Sequence, residues 1–149
     1  MITGSILDTD WFPLAHASPG PVFLLSEAVL LYFPAEAVHN TLKQLSAAFP
    51  DSEFALDTGG KMMMSSQDRN PVFNRIKARM QWICDDPAAL EECGLTLRES
   101  RTFATPQNSI AHTWPARYRW GLKLFGWSSP ISTYKINLFE THSPQPGSG

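Results

Sequence analysis

The sequence has little net charge and little cysteine. Twelve basic residues stand against 14 acidic ones, which gives a net charge of −2 and a pI near 6.0. Because the basic residues form no cluster, the electrostatic footprint of a nucleic-acid-binding protein is missing. The two cysteines, Cys84 and Cys93, form no CxxC pair and have no histidine nearby in the sequence. This spacing disfavours a zinc site and favours free thiols in a reducing cytosol.

Membrane segments are missing as well. The first residues, MITGSILDTDW, lack the basic start and apolar core of a signal peptide. The apolar run at 21–34 is too short to span a bilayer and contains Glu27. We therefore expect a cytoplasmic protein without membrane contact. Its 149 residues, 43% of them hydrophobic, suffice for one globular domain. We expect that domain over 1–141 and a disordered tail over 142–149.

Apolar spacing and Gly/Pro signals divide the chain into alternating strands and helices. Residues 22–28 are almost continuously apolar, which is typical of a strand buried on both faces. Residues 61–69 are expected to form a mobile loop. The predicted strands are 2–7, 22–28, 52–58, 95–103 and 133–141. The predicted helices are 35–49, 70–83, 86–94 and 109–126.

This order predicts an α/β fold with a largely parallel sheet, in which the last two strands pair antiparallel at an edge. Ligands of such sheets bind beyond the carboxyl ends of the strands. Asp8, Glu27 and Asp57 each follow or end a predicted strand. Three acids at three strand ends indicate a functional cleft more strongly than any one of them does.

Four segments occur in an order that resembles one enzyme family. They are GSILDTDW, SEAVLLYF, FPDSEFALDT and WICDDPAALEECGLTLRES. Together they resemble the S-adenosylmethionine-dependent O-methyltransferases of the leucine carboxyl methyltransferase family, in particular the tetracenomycin-type polyketide O-methyltransferases. The stretch EAVLLY, from Glu27 to Tyr32, fits the family's E-x-x-L-x-Y pattern. The resemblance runs from about Ile2 to Glu140.

The resemblance implies the C-terminal half of a Rossmann-like class I methyltransferase fold, beginning at its third strand. The family's first two strands, glycine-rich turn and ribose-binding acid would lie upstream, and no G-x-G fingerprint precedes Ile2. Gly59-Gly60 comes too late in the order and is not expected to open a helix, as the fingerprint requires. The chain would be a fragment, a truncated gene product or one partner of a split protein.

A missing half would leave the 22–28 strand as an exposed apolar edge, which invites pairing. We expect self-association, a complementary N-terminal fragment, or direct pairing of 2–7 with 22–28.

The resemblance also assigns roles to single residues. It places Glu27 beside the methionine portion of S-adenosylmethionine, with Tyr32 closing the pocket, and brings Asp8 and Thr9 to the adenine. Asp57 would face the methyl acceptor. Thioethers and indoles adapt to flat apolar molecules. Three residues are expected to supply them to an acceptor pocket: Met63, Trp82 and Trp120. No catalytic residue and no metal ligand is assigned.

Each assignment has a plainer alternative. Glu27 could be a solvated strand-end residue, and Asp8 and Asp57 could be turn residues. The methionines at 62–64 could fill the core or a loop, and Trp82 fits a core position. The four histidines show no ligand spacing and fit the surface: His16, His39, His112 and His142. The stretch RYRWGLK at 117–123 is typical of a solvated helix face rather than a membrane or nucleic-acid contact.

Methyl transfer mainly requires alignment of the acceptor with a reactive sulfonium and exclusion of water. We expect O-methyl transfer to a small hydroxylated or carboxylated metabolite. Binding of S-adenosylmethionine by this chain alone should be weak or undetectable, because the missing half supplies several charge-assisted contacts. The alternative is a catalytically dead remnant that serves as a binding or interaction module. An upstream in-frame segment encoding the missing parts would favour the enzyme.

Overall fold

The computed structural model describes residues 3–69, 77–102, 105–106, 110, 112–125 and 130–142. The strands of its sheet are β1 (Phe23–Ser26), β2 (Glu53–Gly59), β3 (Leu95–Arg101) and β4 (Tyr134–Thr141). They lie in the order β1-β2-β4-β3, with β1 parallel to β2 and β4 antiparallel to both of its neighbours. The predicted α/β class and the antiparallel pairing of the last two strands are confirmed.

Helices and short 3₁₀ turns connect the strands. The α-helices are α1 (Phe12–His16), α2 (Ala35–Ala48), α3 (Lys61–Ser66) and α4 (Ala116–Phe125). The 3₁₀ turns are Leu30–Tyr32, Gln67–Arg69, Pro87–Cys93 and Pro130–Thr133. The helix predicted over 35–49 is confirmed as α2, and the segment predicted as a helix over 86–94 forms the 3₁₀ turn Pro87–Cys93. The Asp86 carboxylate accepts a hydrogen bond from the Ala88 N–H, and Gly94 ends that turn with a left-handed φ of 82°.

The core lies on one face of the sheet. Helix α2 connects the parallel strands and presents an apolar stripe, because Val38, Leu42 and Leu45 follow its helical period. This stripe belongs to one buried cluster with the inward residues of the sheet, which are Leu24, Phe54, Leu56 and Phe139. We call this side of the sheet the covered face.

The other side, which we call the open face, carries Phe23, Leu25, Ala55, Ile136 and Leu138, since residues opposite each other in register share a face. Phe23 is 55% exposed and Leu25 69%. The prediction that the 22–28 strand is buried on both faces is therefore wrong. No described element packs over these two side chains.

Residues 3–7 form bends and turns rather than the predicted strand. The Asp8 N–H donates to the Ser5 carbonyl, and the Ser5 N–H donates to the Asp8 carboxylate. Local turn bonds thus use the backbone groups that a strand would pair. Only β1 and β2 pair in parallel, so the described sheet is mixed rather than largely parallel. Strand β1 is an edge strand of that sheet, as predicted for the 22–28 segment.

Two further expectations are wrong. Residues 61–69 form α3 and a 3₁₀ turn instead of a loop, and Gly60 is the N-cap of α3, so Gly59-Gly60 does open a short helix. Residues 77–84 are not helical, and 70–76 lie outside the described residues. Met80, Trp82 and Cys84 are buried alternately, which is the period of extended backbone.

Some of the remaining predictions fall on residues that the structure describes. Strands β3 and β4 and helix α4 lie within the segments predicted for them, and β2 extends one residue beyond its predicted end, to Gly59. Cys84 and Cys93 are both buried and free, as expected. Within the described part of the chain, every helix is too short or too polar to cross a membrane. Of the predicted tail, residues 143–149 lie outside the described residues.

Candidate functional site

The carboxylate of Asp57 lies in β2 beside the carboxyl end of β1. It is 2% exposed. Its two oxygens accept the backbone N–H of Ala28 at 3.0 and 3.1 Å, and one of them also accepts the Tyr134 hydroxyl at 2.9 Å. Parallel pairing sets Ser26 opposite Leu56, so the turn after β1 meets the end of β2 at one edge.

This carboxylate holds a strained turn. Ala28 has a φ of 53°, a left-handed conformation that costs a residue with a Cβ about 1–2 kcal/mol. The two contacts from Asp57 to the Ala28 N–H offset that cost. Glu27 directly precedes Ala28, is exposed, and makes no hydrogen bond to a described residue. Asp57 therefore fixes the turn from which the Glu27 carboxylate projects.

Asp57 and Tyr134 both have shifted pKa values. Burial raises the pKa of Asp57, while the hydrogen bonds from Tyr134 and Ala28 lower it and the charge of Glu27 raises it again. Burial and the neighbouring Asp57 also raise the pKa of Tyr134. The phenol therefore stays protonated at neutral pH and donates to the carboxylate.

Replacing Tyr134 with phenylalanine should raise the pKa of Asp57 further above 3.8, because the lost hydrogen bond lowers it. A carboxyl group whose pKa is raised in the folded state stabilises the fold most below the unfolded pKa, and this contribution is lost as pH rises through the folded pKa. Relative to Asp57→Asn, the unmodified protein should lose stability across that window. An NMR titration of the Asp57 carboxyl carbon measures the shift.

The control for this titration is Tyr118→Phe. Tyr118 is an exposed tyrosine on α4 and should leave the Asp57 midpoint unchanged. A lower midpoint in Tyr134→Phe would contradict the assigned hydrogen bond.

A depression of about 180 Å³ opens beside Asp57 and Tyr134, and we call it the edge cleft. Its lining residues are Leu25, Ser26, Glu27, Ala55, Leu56, Asp57, Tyr134 and Ile136. The Ser26 hydroxyl is buried and has no hydrogen-bond partner among the described residues. A larger depression of about 430 Å³ continues along the open face and shares Ala55 and Ile136 with the edge cleft. Trp114 contributes to its wall.

The structure brings together only some of the predicted site residues. Glu27 and Asp57 share the edge cleft, and Asp57 belongs to β2 rather than to a turn. Tyr32 is half-buried in its 3₁₀ turn, and its carbonyl accepts the Gln81 side chain at 2.9 Å. Asp8 lies in another depression, and Thr9 is an exposed neighbour of it.

The segment after Asp8 and Thr9 packs at the opposite end of the sheet. Trp11 stacks on Phe49, with ring centroids 5.7 Å apart, and Phe49 precedes the amino end of β2. Asp8 also follows no strand, so the expectation of three acids at three strand ends is wrong for this residue.

Neither depression of the open face is lined by the three residues expected in an acceptor pocket, Met63, Trp82 and Trp120. Trp82 is fully buried in the core, as its plainer interpretation held. Met63 is half-buried in α3, and its N–H donates to the Thr133 hydroxyl at 3.1 Å. Trp120 is 67% exposed on α4.

Sequence reasoning missed Tyr134. Tyr134 begins β4 and sits opposite Gly59 at the end of β2, so its hydroxyl reaches Asp57 across the sheet. A strand-initial tyrosine would have been informative only with the knowledge that this strand pairs with β2.

No family model matches the sequence, and no curated protein matches it either. Solved structures match most of its length. In the complex between the Haloferax volcanii Trm112 methyltransferase activator and the putative methyltransferase, the match has 14% identity and a TM-score of 0.53. A DUF574 family protein from Streptomyces avermitilis matches with 15% identity and a TM-score of 0.60. A putative sarcosine dimethylglycine methyltransferase from Galdieria sulphuraria has 16% identity, a TM-score of 0.48 and coverage of 94% of this chain and 58% of its own.

The first two likenesses show the fold of the chain, which is a mixed α/β fold shared with part of each of those structures. They cover 95% and 94% of this chain. The chain spans only 60% and 54% of the lengths of those two structures.

Proposed function

We propose that the chain is the C-terminal part of an S-adenosylmethionine-dependent O-methyltransferase whose acceptor is a small hydroxylated or carboxylated metabolite. One observation carries the proposal: Asp57, Ala28 and Tyr134 fix an exposed Glu27 carboxylate at the carboxyl edge of a parallel strand pair, where sheets of this class bind ligands. The fold and the E-x-x-L-x-Y stretch support the same reading.

Glu27 is the residue that would hold the cofactor's methionine portion. Its carboxylate is free to accept charge-assisted hydrogen bonds from an ammonium group. Bound S-adenosylmethionine would supply an electrophilic methyl group. The chain's own contribution is positional: the buried Asp57 fixes the turn, and apolar Leu25 and Ile136 line the cleft. Alignment and partial exclusion of water are what this reaction needs from a protein.

The nucleotide portion finds less support in this chain. Asp8 and Thr9 lie away from the edge cleft, and the sequence has no glycine-rich turn before β1. We therefore propose that further polypeptide, either an upstream segment or a complementary N-terminal fragment, supplies these contacts by pairing with β1 and covering the open face. Strand β1 has only β2 as a described neighbour, and its outer edge offers unpaired backbone groups. Self-association is the competing use of the same surface.

Binding of S-adenosylhomocysteine to the chain alone tests the cofactor assignment. The lost contacts are worth about 1.5–3 kcal/mol each, so we expect a dissociation constant of about 1 mM or weaker. Amide chemical-shift changes should concentrate near Glu27–Tyr32 and the end of β2. Glu27→Gln should weaken the response, whereas Glu36→Gln, an exposed acid in the first turn of α2, should not.

Two results would count against this proposal. A dissociation constant in the low micromolar range would show that no complementary half is needed. Shift changes that avoid the edge cleft would remove the cofactor role and favour an interaction module.

A further inference from the structure

Three side chains with metal-binding atoms meet on the side of the sheet that α2 covers. His39 lies on α2, and Glu92 and Cys93 end the 3₁₀ turn Pro87–Cys93. Their ligand atoms all lie within 4.8 Å of one another, and His39 Nδ1 is 3.6 Å from a Glu92 carboxylate oxygen. The sequence conceals this cluster because His39 and Cys93 belong to elements separated by β2 and α3.

We propose that His39, Glu92 and Cys93 bind a zinc ion. Imidazole nitrogen, carboxylate oxygen and thiolate sulfur are the three donor types that zinc takes from proteins. In a tetrahedral site with bonds of about 2.0–2.3 Å, neighbouring ligand atoms lie roughly 3.3–3.9 Å apart. The observed separations therefore need only a small closing movement, and water can take the fourth position.

The burial of the three residues fits such a site. Cys93 is fully buried, His39 is half-buried, and Glu92 is exposed. The thiol is thus the buried side of the cluster, and the two other groups are its solvent side. The site is separate from the edge cleft, which lies on the open face of the sheet.

The backbone around the sulfur is fixed before any ion binds. The Ser46 hydroxyl of α2 donates to the Cys93 carbonyl at 2.7 Å. Gly94 follows in the left-handed conformation, and its carbonyl accepts the His142 N–H at 2.9 Å. These contacts hold the turn against α2, so the cluster is partly preorganised. Burial and the charge of Glu92 raise the pKa of Cys93, while the charge of Lys43 lowers it, so binding of an ion must displace the thiol proton.

Cobalt(II) is the probe for this site, because thiolate coordination to Co²⁺ gives a charge-transfer absorption that a carboxylate or imidazole alone does not give. Titration of the full chain should produce this band with one equivalent of Co²⁺, and Zn²⁺ should displace it. Cys93→Ser should abolish the band. His39→Gln and Glu92→Gln should each weaken Co²⁺ binding by about tenfold or more.

Two matched controls separate the cluster from general thiol or acid binding. Cys84→Ser changes the other buried free cysteine and should keep the band. Glu91→Gln changes the neighbouring acid in the same turn and should bind Co²⁺ as tightly as the unmodified chain.

The half-exposed His39 keeps the test decisive if Cys93→Ser fails to fold. Retention of full affinity in His39→Gln, loss of the band in Cys84→Ser, or no band at all would each overturn the proposal. In that case His39 and Glu92 form a surface ion pair and Cys93 is a core residue.

Discussion

Replacing Asp57 with alanine should lower the free energy of unfolding by about 2–5 kcal/mol. The substitution removes the carboxylate that accepts from the Tyr134 hydroxyl and the Ala28 N–H, and a hydrogen bond to a charged group contributes about 1.5–3 kcal/mol. The left-handed conformation of Ala28 also loses the contact that holds it. Urea denaturation followed by circular dichroism measures the loss.

Two further variants define what that loss means. Asp57→Asn keeps an oxygen acceptor and should cost clearly less than Asp57→Ala. Asp10→Ala removes an exposed acid and should change stability by no more than about 0.5 kcal/mol. A loss below about 1 kcal/mol for Asp57→Ala would mean that the carboxylate does not hold the turn.

Replacing Leu25 with lysine should greatly weaken self-association of the chain. Leu25 is 69% exposed at the centre of β1, beside Phe23 and the unpaired strand edge. An edge with apolar neighbours and no charge invites pairing with another chain. Burial of a leucine contributes about 1.5–3 kcal/mol, and a two-fold dimer buries two copies. We therefore expect the dissociation constant to rise by roughly 100-fold or more.

Sedimentation velocity over a range of protein concentrations measures this change. The unmodified chain should move toward dimers or larger species as its concentration rises. Leu14→Lys alters a similarly exposed leucine on α1 and should leave association unchanged. A monodisperse monomer at every concentration would rule out β1 as a self-association edge and leave a complementary polypeptide as its proposed partner.

Local sequence signals predicted the elements whose pattern was unambiguous. Helix α2 follows from a proline start and a single apolar stripe, and the Pro87–Cys93 turn follows from Asp86 and Gly94. The helix prediction failed at residues 77–84 because their sequence fits two patterns at once. Ile76, Met80 and Ile83 have helical spacing, whereas Met80, Trp82 and Cys84 alternate.

Contacts distant in sequence decided between these patterns. The N–H groups of Gln81 and Trp82 donate to the Leu31 carbonyl, and that of Cys84 donates to the Gly59 carbonyl. Extended backbone satisfies these partners, and no local window of sequence contains them.

In the candidate site, too, local sequence signals predicted some features, and contacts distant in sequence decided the others. The meeting of Glu27 and Asp57 was predictable because parallel strand ends share an edge. The composition of residues 2–7 is compatible with a strand, but residues 3–7 form turns. Asp8 therefore does not lie at the carboxyl edge of the sheet with Glu27 and Asp57. The role of Tyr134 required the pairing of β4 with β2, and the cluster around Cys93 required the packing of α2 on a later turn. Local sequence periodicity does not predict strand register or packing between elements that are distant in the sequence.

The position of β4 has a consequence for how the protein is made. Of the four described strands it comes last in the sequence, yet it lies inside the sheet, between β2 and β3. While the chain is being synthesised, β2 and β3 have no strand between them until residues 134–141 leave the ribosome. Tyr134 arrives with that strand and completes the contact to Asp57. Closure of the sheet and assembly of the edge cleft are thus one late event, and a chain that stalls before it exposes two more unpaired strand edges.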